Sequence, residues 1–227
     1  YQKRKDDYLK ARPNEDLWIN CTGTGKFDSF KKDYFLNKAY NDYPVVNITA
    51  EAAKMYCVWL DSIAQVWAAD DVDLYIDLPK ESEWIYCAKG GYSNSSYPWG
   101  TNNIQNKKNV FLANFGVQKD SAKLNRPFYY TVRINPRAFT SAGLVLNADT
   151  LATAGVLEYN PNPYGLYCMS GNVAEWVLSE DGQSTKAVGG SWGSDFEHLK
   201  INSEEEFKGV TCSPFIGFRI LVLMRKK

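Results

Sequence analysis

Histidine is nearly absent from this chain: His198 is the only one in 227 residues. Chemistry that depends on clustered imidazoles is therefore excluded. Net charge is absent as well, because 26 Lys and Arg balance 26 Asp and Glu. No basic run suggests a nucleic-acid binder locally, so the electrostatic footprint of one is missing. Long hydrophobic runs are lacking too. The most apolar stretch, Ile216 to Met224, is interrupted by Arg219 and is too short to cross a bilayer. Cysteine is sparse and scattered, with five residues at 21, 57, 87, 168 and 212, no C-x-x-C pair and no zinc spacing. An odd number leaves at least one thiol free in a monomer. Small hydrophobes in a core account for most of them, with a disulfide framework left open. The chain opens Tyr1-Gln2-Lys3 without an initiator methionine or signal peptide, which predicts a mature or truncated product.

What the chain does have is aromatic mass, with 7 Trp, 15 Tyr and 11 Phe, enough to exclude a disordered tail. The length suits one large domain or two small ones. Residues 1–16 are charge-rich and close on Arg12-Pro13-Asn14, which predicts a charged N-terminal arm or the end of a helix. A single domain is expected over 17–227. Trp18 to Phe35 reads as loops with one short strand, and Tyr43 to Ile48 as a short extended apolar segment.

The clearest helix follows over Thr49–Ala68. Thr49 can cap it, with Ile48 placed as a hydrophobic staple. Ala52, Met55, Tyr56, Trp59, Leu60, Ile63 and Trp67 recur at helical steps, so this stripe is expected to face the core. Leu74 to Leu78 reads as a strand and Glu81 to Ala88 as a second helix, stopped by Gly90-Gly91. Periodicity is poor from Tyr92 to Tyr164. Lys186 to Trp192 and Gly217 to Leu223 read as strands. The class is α+β and irregular, with two main helices, short strands and many loops.

Several segments, in order from about residue 43 to 220, resemble the formylglycine-generating-enzyme (sulfatase-modifying factor) family. Tyr43-Pro44-Val45-Val46 and the later Tyr56-Cys57-Val58-Trp59 are similar to its opening motif. Leu78-Pro79-Lys80-Glu81-Ser82-Glu83-Trp84, with Gly90-Gly91, resembles the next, followed by Tyr97-Pro98-Trp99-Gly100 and Ala113-Asn114-Phe115. Tyr164 to Trp176 resembles the family signature, and Gly189-Gly190-Ser191-Trp192 with Gly217-Phe218-Arg219 the closing pair. The resemblance implies a loop-rich variant of the C-type-lectin fold.

It also implies a chemistry. Enzymes of the family oxidise a substrate cysteine with O₂, using two cysteines and copper, for which thiolates are suitable soft ligands. The corresponding positions here are Ser194 and Leu199. A hydroxyl and an isobutyl group make no bis-thiolate site, so copper is not expected and no catalytic residue is assigned. Cys212 would need a partner thiol to substitute. Relatives that use non-haem iron need at least two imidazoles, and His198 stands alone. A Ser191/His198/Asp195 triad has only sequence proximity behind it and is rejected.

Calcium is implied at two places. The first family site maps to Cys168, the Gly171 and Val173 carbonyls and Glu175, and is degenerate because a thiol replaces an oxygen ligand. The second maps to Asn114, the Phe115 carbonyl, Asp149 and the Leu151 carbonyl. For both, the alternative is a hydrogen-bonded turn without metal. Trp59, Trp84, Trp99, Trp176 and Trp192 are read as core.

Within the family the chain resembles the non-catalytic gliding-motility and type IX secretion lipoproteins. The residues are Tyr34-Phe35, Ala39 to Val46, Asn172 to Trp176 and the cysteine-free Gly-Gly-Ser-Trp segment. That resemblance implies a scaffold or interaction protein, periplasm-facing or at the cell surface, and associated with the outer membrane through a lipid anchor outside this chain. It implies protein partners in an envelope assembly, a homo-oligomeric ring among the options, and no nucleic acid. A formylglycine-generating-type oxidase or another metal-dependent enzyme of the family is the alternative, and a lectin-like glycan binder a third.

Overall fold

The computed structural model describes residues 2–15, 17, 33–69, 71–116, 153–203 and 206–227. Helix α1, Gln2–Ala11, comes first. Helix α2, Ala50–Trp67, begins where the Thr49 hydroxyl accepts the Ala52 N–H at 3.0 Å. Strand β1, Val72–Asp77, and helix α3, Glu81–Lys89, follow. At the start of α3 the Glu83 carboxylate accepts the Lys80 N–H at 2.8 Å. Gly90 ends the helix in the left-handed region, φ 56°, where a side chain is disfavoured. The remaining strands are β2 Ala174–Leu178, β3 Thr185–Val188, β4 Ile216–Gly217 and β5 Leu221–Lys226.

Two small sheets result. In one, β1 and β5 pair antiparallel, with Val72 opposite Lys226 and Asp77 opposite Leu221. In the other, β2 lies between β3, antiparallel, and β4, parallel. All five residues of β2 are buried, so it lacks the alternation that marks a strand with one wet face. That explains why no period-two pattern marks a strand there in the sequence.

The expected strand over Gly217–Leu223 is interrupted, because Phe218 to Ile220 carry the chain from β4 in one sheet to β5 in the other. Tyr43 to Ile48 forms no strand. Asn47 sits there at φ 58°, a conformation no ladder accommodates.

The buried face of α2 also differs from the expected stripe. Ala52, Ala53 and Cys57 are buried and pack toward Ile76 and Leu78, with Leu60 and Ala64 beside them. Trp59 is 54% exposed, and Tyr56 and Ile63 are exposed as well. Small side chains let the helix approach β1 closely, and the bulky ones are left outside. Trp84, Trp176 and Trp192 are core, as expected. The Trp176 indole donates to the Ile48 carbonyl at 2.9 Å and the Trp192 indole to the Pro214 carbonyl at 3.0 Å, so neither N–H is buried without a partner.

Candidate functional site

The turn after β3, Gly189 to Leu199, carries the positions where the family places its thiols. Ser194 is fully buried. Its oxygen accepts the Ser191 N–H at 2.8 Å and lies 2.9 Å from the Ser191 oxygen, while its hydroxyl donates to Glu206 Oε2. With that one proton committed to Glu206, the Ser191 hydroxyl is left to donate to Ser194. Ser191 in turn accepts the Gly193 N–H at 3.2 Å. Burial raises the Glu206 carboxyl above its ordinary range, partly offset by the Ser194 hydrogen bond.

Leu199 is also fully buried, but in different surroundings: its side chain belongs to an apolar cluster with Tyr97, Ala113 and Phe115. One thiol position is thus a hydroxyl inside a polar chain, and the other is hydrocarbon inside hydrocarbon. This donor set does not fit copper.

His198 Nδ1 lies 2.9 Å from Asp195 Oδ1, which also accepts the Glu197 N–H at 3.0 Å and the His198 N–H at 3.2 Å. Burial pushes the Asp195 carboxyl up, but the His198 contacts and the Glu197 N–H outweigh it and hold the group below its usual range. The Ser191 hydroxyl is spent on Ser194 rather than on the imidazole. A helper base and a nucleophile are not brought together.

The described thiols are equally quiet. Burial raises Cys57 and Cys168 to about 11, and it raises Cys87 and Cys212 as well. A nucleophilic or metal-binding cysteine needs the opposite shift. All four are free thiols. Cys21 lies outside the described residues.

The signature loop between Tyr167 and Glu175 is built around a cation, supplied by Arg219. Arg219 Nε and Nη2 lie 2.5 and 2.6 Å from the two oxygens of Glu175, and Nη2 also donates to the Tyr167 carbonyl at 3.1 Å. The Trp84 indole donates to Glu175 Oε2 at 2.7 Å. Both carboxylate oxygens are therefore engaged, and Cys168 next to them offers a protonated sulfur. The donors mapped to the first calcium site do not fit that ion, which prefers charged oxygen ligands.

Asn114, mapped to the second site, lies against this same loop. Its Nδ2 donates to Asn172 Oδ1 at 3.3 Å, and its carbonyl accepts the Asn172 N–H at 2.7 Å. Asn172 also clasps Ala154 through both N–H and C=O, at 2.7 and 3.0 Å. Gly171 makes this approach possible, since a Cβ there would overlap the Asn114 carbonyl oxygen. In the sequence Asn172 is legible only as part of the signature motif; its left-handed φ of 68° and its clasp on Ala154 leave no periodic signal. Phe115 is buried beside Asn114, whereas Asp149 and Leu151 lie outside the described residues.

One open cavity, of about 1130 Å³, adjoins these elements. It runs between α1, α2 and the Phe218–Val222 segment, with Tyr56, Trp59, Trp84 and Phe218 among its walls.

Few helices, short strands and long loops fixed by buried amide and carboxylate contacts define an α+β domain of the formylglycine-generating-enzyme fold type. The chain belongs to the sulfatase-modifying factor enzyme 1-like domain family, which matches residues 7–224. Inactive C-alpha-formylglycine-generating enzyme 2 of Bos taurus is 26% identical over 187 residues, covering 78% of this chain and 50% of the relative. The formylglycine-generating enzyme of Bos taurus is 29% identical over 140 residues, 60% of this chain and 27% of that protein. The chain thus spans half or less of the length of these two curated relatives. Treponema denticola variable protein 1 has the same fold, with a TM-score of 0.53 at 20% identity over 85% of this chain and 74% of that one.

Proposed function

We propose that this domain is a non-catalytic member of its family and serves as a scaffold or interaction module. The observation that carries the reading is the fate of the two thiol positions. Ser194 is tied to Ser191 and Glu206, and Leu199 is packed into the cluster with Phe115. No described thiol is poised to replace them, since burial raises all four. The resemblance to an inactive relative supports the same reading.

The motif set around Tyr34-Phe35 and Ala39 to Val46 supports a place in a cell-envelope assembly of the gliding or type IX secretion kind, with protein partners and an anchor supplied elsewhere. Calcium at Asn114 and Asp149 is part of this proposal as a structural ion. The test of the non-catalytic reading is a Cu(I) titration against a competing chelator. The chain should take up no stoichiometric copper. One equivalent bound tightly, and lost on mutating any cysteine pair, would return the domain to the oxidases.

A further inference from the structure

The two edges of the β1–β5 sheet are treated differently. Lys227 N donates to the Asp71 carbonyl at 2.9 Å, directly opposite in the register that sets Val72 against Lys226. In an antiparallel ladder hydrogen-bonded pairs alternate. Leu221, Leu223 and Arg225 therefore turn their N–H and C=O toward β1, and Val222, Met224 and Lys226 turn theirs away. On β1 the outward groups are covered: Ile76 N–H donates to Asp61 of α2 at 3.0 Å, and the Leu74 carbonyl accepts from Gln65. On β5 the outward groups of Val222, Met224 and Lys226 meet no protein partner among the described residues.

That bare edge is apolar and borders the cavity. Val222 and Met224 are 44% and 76% exposed, and they share a sheet face with Leu74 and Ile76. Val222 lines the cavity together with the exposed rings of Tyr56 and Trp59. Natural sheets rarely leave a flat apolar edge uncovered, because it is a template for another strand. Beyond the apolar part, the strand ends in Arg225 and Lys226, which have no ion-pair partner among the described residues.

We infer that the outer edge of β5 is a docking site for an extended segment of a partner protein, which adds as a third strand. Its alternate side chains are apolar and enter the cavity beside Tyr56 and Trp59, and its far end is acidic, opposite Arg225 and Lys226. Backbone hydrogen bonds supply the affinity and the cavity the selectivity. A second copy of this chain fits less well. In antiparallel self-pairing about Leu223, Arg225 of each copy faces Leu221 of the other and no carboxylate. The inference rests on the interaction-module reading and gives it a partner of defined chemistry.

The full chain should be titrated with labelled peptides of alternating valine and threonine. Two carry a pair of glutamates, one at either end, and a third carries lysines instead. One of the glutamate peptides should bind saturably, and the lysine peptide more weakly. Met224→Pro removes an outward N–H that β1 does not use, so the fold should melt unchanged while affinity falls about tenfold. Lys226→Glu should shift the preference toward the lysine peptide. Absence of saturable binding, binding indifferent to both substitutions, or self-association abolished by Met224→Pro would each overturn the inference. None of these results bears on the copper titration, so the edge and the non-catalytic reading fail separately.

Discussion

Arg219 and Glu175, 44 residues apart in sequence, meet side by side, with Nε 2.5 Å from Oε2 and Nη2 2.6 Å from Oε1. This pair joins the segment between β4 and β5 to the start of β2, and through the Tyr167 carbonyl it also fixes the signature loop. Removing one partner strands the other. Arg219→Ala and Glu175→Gln are each expected to cost about 3–5 kcal/mol in urea unfolding. The double variant Glu175→Gln/Arg219→Met should lose less than the sum, because no buried charge is left alone. Strict additivity would mean the pair is not coupled.

The exposed face of α2 gives a second prediction. Trp59→Ala should cost less than about 1 kcal/mol, whereas Trp176→Ala should cost about 3–5 kcal/mol. Equal losses, read from the same denaturation series, would mean that the helix is rotated about its axis relative to the described packing.

Here the legibility of the sequence has a clear physical limit. The Thr49 cap, the helix and the Gly90 stop follow from local rules, because each acts within a few residues. The helix face does not. The seven residues of the expected stripe cover roughly 140° of α2 at about 100° per residue, with Ala53 and Cys57 just beyond its edge, and only contact with β1 decides that these go inward. The same holds at the site. Ser194 and Leu199 are legible as missing thiols, but their tethering to Glu206 and to Phe115 depends on tertiary contacts that no spacing announces. The Arg219–Glu175 pair and the part played by Asn172 were hidden for the same reason.

Acid should act through Asp195. Its folded pKa lies below the unfolded value of about 3.9, so its contribution is present above that pH and is lost as pH falls through the folded value. Asp195→Asn should cost about 1–2 kcal/mol at pH 7, and the gap to the parent chain should narrow as pH falls through the folded value. Glu206 runs in the opposite sense: its raised pKa means stability declines as pH climbs through the upper carboxylate range, and Glu206→Gln should flatten that limb. Matching pH profiles for both variants would contradict these assignments.

Calcium is tested by melting. If Asn114 and Asp149 hold an ion, added Ca²⁺ raises Tm and a chelator lowers it, because a ligand that binds only the folded state stabilises it. Asp149→Ala should abolish the shift. Glu175→Ala should lower Tm while leaving the calcium response in place, since Arg219 already occupies both of its oxygens. A curve indifferent to calcium and chelator, in protein shown to be metal-free, leaves only the hydrogen-bonded turn at Asn114.

Turnover most directly tests the proposal that this domain lacks the thiol chemistry of the family. The chain is incubated with copper, O₂ and a cysteine-containing sulfatase-type peptide, alongside an active formylglycine-generating enzyme, and aldehyde is read with a hydrazide probe. The active enzyme should label the peptide and this chain should leave its thiol intact. Aldehyde formed by this chain, and surviving Cys212→Ala, would contradict the account.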